Sequence, residues 1–153
     1  MRKLLLIAAV AATSAVLPAH AATDAECEAM WTKADVNKDG TLSDTEATRY
    51  TAAMRVHEKP MTADGKLDKT SFMKHCKDDV YMTRKVDAGA PLKGANSFTE
   101  GQAKDRAMAQ GLMSVSDLKK DSDGIWRGTA TQDGKSVPVA VDFKGNVVAQ
   151  PAP

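Results

Sequence analysis

Aromatic side chains are scarce in this sequence. The 153 residues include two Trp, two Tyr and three Phe, which is 5% of the chain. With so few large apolar side chains, neither one domain nor two small ones can bury a large core. Histidine is scarce too, because three are present and they are widely separated, at His20, His57 and His75. No activated-nucleophile pattern accompanies them, and we therefore expect a protein that is not an enzyme.

An excess of charge of one sign is also missing. The chain has 21 basic and 20 acidic residues, a formal net charge of +1. This balance argues against nucleic acid or an anionic membrane surface as the main partner.

Apolar runs are short, and the longest, residues 4–17, is too short to span a bilayer. It follows the basic residues Arg2 and Lys3 and precedes a small-x-small site at Ala19-His20-Ala21. This pattern predicts a signal peptide, residues 1–21, that is cleaved after Ala21. Without Arg2 and Lys3, 19 basic residues face 20 acidic ones, a net charge of −1. We expect a periplasmic or secreted protein with no stable membrane insertion after the signal is removed.

Oxygen-bearing side chains recur at alternate positions in residues 35–46, which read D-V-N-K-D-G-T-L-S-D-T-E. The segment resembles the twelve-residue calcium loop of the EF-hand family position for position, with Gly40 at the sixth place, where the backbone must bend. The resemblance implies a Ca²⁺ site with six ligand residues: Asp35, Asn37, Asp39, Thr41 (backbone carbonyl), Ser43 (directly or through water) and Glu46 (both carboxylate oxygens). The same oxygen cage would also suit a lanthanide ion. The alternative is an ordinary polar turn, but Glu46 at the twelfth position and helix-like flanks favour metal binding.

Both flanks of this loop have helical patterns. Thr23 and Glu26 have capping-box spacing, and Ser43 and Glu46 repeat it after the loop. Apolar residues then fall on one face of each predicted helix. They are Cys27, Met30, Trp31 and Ala34 before the loop, and Ala47, Tyr50, Met54 and His57 after it, until Pro60 ends the second helix.

A second glycine turn at residues 64–68 resembles the later half of a partner hand. Aligning Gly65 with Gly40 leaves only Asp64 and Asp68 as acidic ligands, and the other ligand positions fall on Pro60, Thr62, Lys66 and Ser71. We expect this half to bind no ion. The interval between Glu46 and Pro60 is too short for a complete second hand. The sequence therefore predicts a truncated partner, residues 22–81 forming one domain, in which Lys66-Leu67 lies beside Thr41-Leu42 and a short helix carries Phe72, Met73 and Cys76.

Two cysteines lie in this half. Cys27 is in the first helix and Cys76 in the last, and an exported protein reaches an oxidising compartment. We expect a disulfide between them, worth about 4 kcal/mol in the chain-entropy model. The alternative is a soft-metal site formed by Cys76 with His75 and His57, although adjacent ligands chelate poorly. The methionines allow two interpretations as well, filling of the core or a partner groove that calcium exposes.

Small residues, Gly and Pro mark residues 82–96 as a linker. Beyond it, Thr99 with Gln102, or Ser97 with Glu100, can cap a helix that ends at Gly111. Strand-like runs follow at 115–120, 125–131, 137–143 and 147–148, separated by turns. Pro138 indicates an edge strand or an outward-facing backbone nitrogen. The fold class is therefore α+β, with a helical EF-hand unit followed by one helix on a small antiparallel β-meander.

This second half, with D-G-I-W-R-G-T-A-T-Q-D-G-K and F-K-G-N-V-V, resembles the PepSY-like family over residues 96–150, and the domain covers 97–150. The resemblance implies a binding or inhibitory module without catalytic residues. Residues 121–124 look like a fragment of a calcium loop, but a hairpin turn explains them better. Two functions follow: an exported calcium-binding protein with a structural, buffer or sensor role, or a secreted module that binds a protein partner, in which the EF-hand is only a stabilising clamp.

Overall fold

The computed structural model describes residues 21–82 and 89–149. The predicted signal peptide up to residue 20 and part of the predicted linker lie outside these ranges. The described chain is an α+β fold with helices in its first half and a meander in its second. The helices are α1 (Asp24–Ala34), α2 (Asp44–Val56), α3 (Lys69–Lys77) and α4 (Glu100–Ala109). The strands are β1 (Thr41–Leu42), β2 (Leu67–Asp68), β3 (Lys119–Lys120), β4 (Trp126–Gln132), β5 (Lys135–Val141) and β6 (Val147–Ala149).

Helix α1 begins as the sequence predicts. The Thr23 hydroxyl accepts from the Glu26 amide and the Glu26 carboxylate accepts from the Thr23 amide, so the capping box is complete. The predicted face of α1 turns inward, with Cys27 and Trp31 buried. Helix α2 ends earlier than predicted, at Val56, and His57 after it is exposed. The cause is a left-handed turn at Glu58, with φ 52°, ahead of Pro60.

Strands β1 and β2 pair in antiparallel fashion and connect the two loops. Leu42 lies opposite Leu67, which confirms that predicted pair. The prediction for Lys66 was wrong, because Thr41 lies opposite Asp68. In an antiparallel ladder, the residue before Leu42 must face the residue after Leu67. The extended return and the short helix α3 that follows it are both present.

The core of the first half is an aromatic cluster held by a disulfide. The centroid of the Phe72 ring lies 5.2 Å from that of Trp31 and 4.9 Å from that of Tyr50. Both pairs are in edge-to-face geometry, which the ring quadrupoles favour. Cys27 and Cys76 are bonded across this core, with their Cα atoms 5.8 Å apart. The bond leaves no thiolate on Cys76 for the alternative soft-metal site.

The second half is one helix on a four-stranded antiparallel sheet of order β3-β4-β5-β6. Thr99 and Gln102 form the capping box of α4, and the Ser97 alternative is not used. The inward face of β5 presents Val137, Val139 and Val141 to Ala103 and Ala107 of α4. The helix-on-meander prediction is therefore confirmed.

Three details of the meander differ from the predictions. Only residues 119–120 of the run 115–120 form a strand. Before them the Ser116 amide donates to the Thr129 carbonyl at 2.8 Å, and the Leu118 side chain lies over Gly128, where a Cβ would be 2.6 Å away. Strand β5 ends at Val141, and Phe143 instead lies against Gly94. Pro138 is in an internal strand, but β6 pairs only with residues 139–141, so Pro138 has no partner on that side.

Residues 89–96 of the predicted linker lie along the meander. The Leu92 amide donates to the buried carboxylate of Asp142 at 3.2 Å, and the Gly94 amide donates to the Asp123 carbonyl at 3.0 Å. The two halves also meet, because α2 packs along α4. Arg55 and Asp105 form an ion pair of 2.8 Å across this contact. The domain boundaries stay a prediction. Helix α2 belongs to the first half and packs against α4 of the second half.

Candidate metal centre

The loop at residues 35–46 connects α1 to α2 and includes β1. Asp35 is the C-cap of α1, and its amide donates to the Trp31 carbonyl at 2.9 Å. Ser43 is the N-cap of α2. Between them the backbone takes left-handed conformations at Lys38, with φ 60°, and at Gly40, with φ 82°. Glycine adopts the second without the strain that a side chain would cause, which is the role predicted for Gly40.

Asp35 and Glu46, the first and twelfth residues of the loop, turn toward its backbone. One oxygen of each is satisfied by amides of the loop. Asp35 Oδ2 accepts from Gly40 at 3.2 Å, and Glu46 Oε1 accepts from Val36 and Asn37 at 3.0 and 3.1 Å. The other oxygen of each, Asp35 Oδ1 and Glu46 Oε2, is buried and has no hydrogen-bond partner within residues 21–82 and 89–149. A buried carboxylate oxygen without a partner is costly, because its hydration is lost and nothing replaces it.

Asn37 and Asp39 use their side chains locally. The Asn37 amide group donates to Asp39 Oδ2 at 3.0 Å, while Asn37 Oδ1 accepts from the Asp39 amide at 2.9 Å. Asp39 Oδ1 accepts from the Thr41 amide at 2.8 Å. Across residues 21–82 and 89–149, no group of three or more His, Cys, Asp or Glu side chains is arranged to hold a metal ion. The structure thus brings two of the predicted ligands to the loop interior and holds Asn37 and Asp39 in turns.

Ser43 and Thr41 complete the predicted ligand set. Ser43 begins α2, but its side chain makes no capping hydrogen bond, so the capping box predicted with Glu46 is absent. The reason is that the Glu46 carboxylate accepts from Val36 and Asn37 instead of from Ser43. Thr41 lies in β1, half-buried, opposite Asp68.

Within the described ranges, Asp35, Asp39 and Glu46 take part in no ion pair with Lys or Arg, although Lys38 precedes Asp39 in the loop. Four carboxylates stand on this twelve-residue loop, since Asp44 adds to the three predicted ligands, and like charges repel one another. A cation between them would remove that repulsion.

The second loop, residues 60–71, closes on its own hydrogen bonds. The Thr62 hydroxyl donates to the Lys66 carbonyl at 2.6 Å. Asp68 accepts from the amide and the hydroxyl of Ser71 at 2.9 and 2.8 Å, and these bonds, the amide first, hold the pKa of Asp68 below its usual value. The Lys66 carbonyl, the equivalent of the ligand at the seventh position, therefore already accepts a hydrogen bond.

His75, which the sequence offered as a ligand of the alternative soft-metal site, is a buried residue of α3. Of its surface 7% is exposed, and its Nδ1 has no partner among the described residues. Burial lowers the pKa of this imidazole. The helical spacing is the signal that could have shown this, because His75 and Cys76 lie three and four residues after Phe72 and all three are buried on α3.

No family model matches the chain, and no curated protein and no solved structure matches it significantly. In the part of the chain that the structure describes, no helix is both long and apolar enough to cross a membrane.

Proposed function

We propose that residues 35–46 bind a calcium ion in an exported, non-enzymatic protein. The observation that carries this proposal is the pair of buried, unpartnered carboxylate oxygens at the two ends of the loop, Asp35 Oδ1 and Glu46 Oε2. Hard divalent cations take carboxylate and carbonyl oxygens as ligands. A bound cation would contact both oxygens and supply the positive charge that they lack, because no amide of the described residues donates to them.

Binding requires a local exchange of partners. Asn37 and Asp39 would leave their turn hydrogen bonds, and their oxygens would join those of Asp35 and Glu46, with Thr41 and Ser43 completing the shell. This exchange costs part of the binding energy, and Asn37 adds no charge. We therefore expect a dissociation constant on the order of 10⁻⁴ to 10⁻³ M, in the range of extracellular calcium modules.

A calorimetric titration of residues 22–153 with Ca²⁺, and separately with Mg²⁺, tests the proposal. We expect one Ca²⁺ per chain and weaker binding of Mg²⁺, because Mg²⁺ needs a smaller and more rigid octahedral site. No heat and no change in stability at 10 mM Ca²⁺ would refute the proposal. A second ion per chain would show that the second loop also binds metal.

Glu46→Gln and Asp44→Asn form a matched pair of variants. Both remove one negative charge from the first turn of α2, but only Glu46 contributes an unpartnered buried oxygen. We expect Glu46→Gln to weaken Ca²⁺ binding about 100-fold or more, since changes one shell further out already cost 10- to 100-fold. Asp44→Asn should change the affinity by less than about threefold, the effect of an exposed charge. An equal loss of affinity in the two variants would mean that Ca²⁺ is attracted by the negative charge of this region and not held by Glu46.

Trp31 offers a direct test of where the ion lies. It lies four residues before Asp35 at the end of α1, and side chains four residues apart on a helix are neighbours, so we expect Tb³⁺ in the loop to lie near the indole and to emit when Trp is excited. Trp31→Phe should abolish this emission, whereas Trp126→Phe in the meander should retain it. Emission that depends on Trp126 would place the ion outside residues 35–46.

The second candidate function is a secreted module that binds a protein partner, with the loop as a clamp. The observation that favours it is an apolar cavity of about 210 Å³ on the outer face of the meander, lined by Pro91, Pro138, Ala140, Val148 and others, with Arg127 beside them. Capture of a partner that chelator does not change would favour this module. Capture that requires Ca²⁺ would favour a sensor, whose signal could pass along α2, because Glu46 is in the first turn of α2 and α2 packs on α4.

A further inference from the structure

Helix α2 is buried on two opposite faces. One face belongs to the core of the first half and carries Ala47, Tyr50 and Met54. On the other face, Ala52 is fully buried, and Arg49 and Arg55 lie three residues before and after it. Because an α-helix has about 3.6 residues per turn, these two sets of side chains point in opposite directions.

The second face of α2 lies against α4 of the second half. Arg55 Nη2 is 2.8 Å from Asp105 Oδ1 at one end of this contact. At the other end the Arg49 side chain approaches Gly111, just beyond the C-cap of α4, where a Cβ would lie 4.0 Å from Arg49 Cδ. Ala52 is midway between the two arginines and therefore lies within the contact.

Helix α4 in turn reaches the core of the first half. Ala109, the last residue of α4, packs against that core. Arg49 Nη2 also donates to the Tyr81 carbonyl at 3.3 Å, so the same arginine contacts the end of the first half and the end of α4. Arg49 Nε and Gln110 Oε1 are both buried, which shows that solvent is excluded from this end of the contact.

Each half is small. The described ranges, residues 21–82 and 89–149, are about 60 residues each, and a domain of about 60 residues buries only about 60% of the surface that its unfolded chain exposes. Unfolding of the first half would take α2 away from α4, and unfolding of the second half would expose the outer face of α2. Each half therefore depends on the other for part of its buried surface.

We propose that the two halves unfold as one cooperative unit, so that a calcium ion in residues 35–46 stabilises the meander as much as it stabilises the half that binds it. The calcium part of this proposal rests on the function proposed above. Glu46 is in the first turn of α2, three residues before Arg49, so the loop and the contact with α4 share one helix. Calcium would in this way protect the second half from opening, although that half contributes no ligand.

Amide hydrogen exchange of ¹⁵N-labelled residues 22–153, measured by NMR, tests the proposal. The slowest amides of each half report the free energy of its opening. In chelator, we expect the protection factors of the slowest amides in α1 and β5 to agree within about threefold. With a dissociation constant of 10⁻⁴ to 10⁻³ M, 5 mM Ca²⁺ should raise both by about 6- to 50-fold. A rise confined to the first half would overturn the proposal.

Two matched variants make the same test without calcium. Leu42→Ala truncates a buried side chain of the first core, and Leu118→Ala truncates one of the meander core. Each should lower the protection factors of both α1 and β5 by about 30-fold or more, since such a change costs at least about 2 kcal/mol. An effect of either variant on its own half alone would overturn the proposal. Because this comparison is made in chelator, it decides the coupling even if residues 35–46 bind no calcium.

A further pair of variants locates the coupling in the contact between α2 and α4. Ala52→Leu places a larger side chain in the contact, and Ala25→Leu makes the same change at an exposed position of α1. Ala52→Leu should lower protection in α1 and β5 alike by about 5- to 100-fold, and Ala25→Leu should change it by less than about twofold. A loss in only one half would overturn the proposal. If Ala52→Leu does not fold, the Leu42→Ala and Leu118→Ala variants decide.

Discussion

The first loop, residues 35–46, and the second loop, residues 60–71, lie side by side and use their polar groups in opposite ways. The first leaves one oxygen of Asp35 and one of Glu46 buried without partners. The second closes on its own bonds, from Thr62 to the Lys66 carbonyl and from Ser71 to Asp68. Both have a glycine in the left-handed conformation at the bend, Gly40 with φ 82° and Gly65 with φ 68°.

This difference gives the two loops different tasks. A loop whose polar groups satisfy one another contributes to folding without an ion, but it has no unpartnered oxygen to bind one. A loop with unpartnered carboxylates is destabilising until a cation arrives, and it gains the most from one. The second loop therefore supports the first through the Leu42 and Leu67 pair, while the first retains the proposed calcium chemistry.

A large effect is expected from the disulfide, which joins the helix before the first loop to the helix after the second. It closes a sequence separation of 49 residues, so Cys27→Ala with Cys76→Ala should lower the free energy of unfolding by about 4 kcal/mol. Urea unfolding followed by Trp fluorescence in chelator measures this. We expect the double variant to need Ca²⁺ for full folding, because the cation then supplies the restraint that is lost. A cost below about 1 kcal/mol would show that the two loops hold together without it.

The sequence predicts features that depend on residues close in the chain. The capping boxes at Thr23 and Thr99 need a spacing of three residues and were correct. The disulfide was predictable too, because these are the only two cysteines of the chain. The facing of Leu42 and Leu67 follows from their equivalent positions after two aligned glycines.

Long-range placement was not predictable in the same way. The contact between α2 and α4 depends on how two helices from different halves dock, and their patterns look like ordinary core faces. The capping box predicted for Ser43 and Glu46 was wrong. The Glu46 carboxylate accepts from the Val36 and Asn37 amides instead, and the sequence does not show that the folded loop brings these amides close to it. The calcium ligands themselves stay a prediction.

The next effect concerns the pair that joins the loops. Leu42 is fully buried and Leu67 nearly so, and each change to Ala should cost about 2–5 kcal/mol. Because the two face each other, the double variant should cost less than the sum by roughly 0.5 kcal/mol or more. Leu92→Ala is the control, since Leu92 is 44% exposed, and it should cost less than about 0.5 kcal/mol. Strict additivity would mean that the loops do not act as a unit.

Calcium itself should stabilise the protein by a smaller amount. With a dissociation constant of 10⁻⁴ to 10⁻³ M, 5 mM Ca²⁺ adds about 1–2 kcal/mol. The melting temperature should rise by about 3–10 °C, as measured by calorimetry. Glu46→Gln should lose this rise and, in chelator, should be at least as stable as the unchanged protein, because it neutralises a carboxylate with an unpartnered buried oxygen. Destabilisation by Glu46→Gln in chelator would show that its hydrogen bonds to Val36 and Asn37 outweigh that charge.

The smallest effect separates the loops by their helix caps. Asp68 accepts from the Ser71 amide at the start of α3, whereas the Ser43 side chain caps nothing at the start of α2. Asp68→Ala should therefore cost about 1 kcal/mol, and Ser43→Ala in chelator should cost almost nothing. With Ca²⁺ present, Ser43→Ala should lower the calcium affinity instead. A cost of Ser43→Ala in chelator equal to that of Asp68→Ala would remove the distinction between the two loops.

The pH dependence of the unfolding free energy tests the same comparison, because Asp68 of the second loop has a lowered pKa. The bonds from the Ser71 amide and then its hydroxyl hold the pKa of Asp68 below its ordinary value. A carboxyl whose pKa is lower in the folded state stabilises the fold above its unfolded pKa, about 3.9, and this contribution is lost as the pH falls through the folded pKa. Asp68→Asn keeps an acceptor at the cap but cannot titrate, so its unfolding free energy should fall less steeply below about pH 4. Parallel curves for the two proteins would mean that Asp68 is not held in this way, and the second loop would then lack the internal closure that distinguishes it from the first.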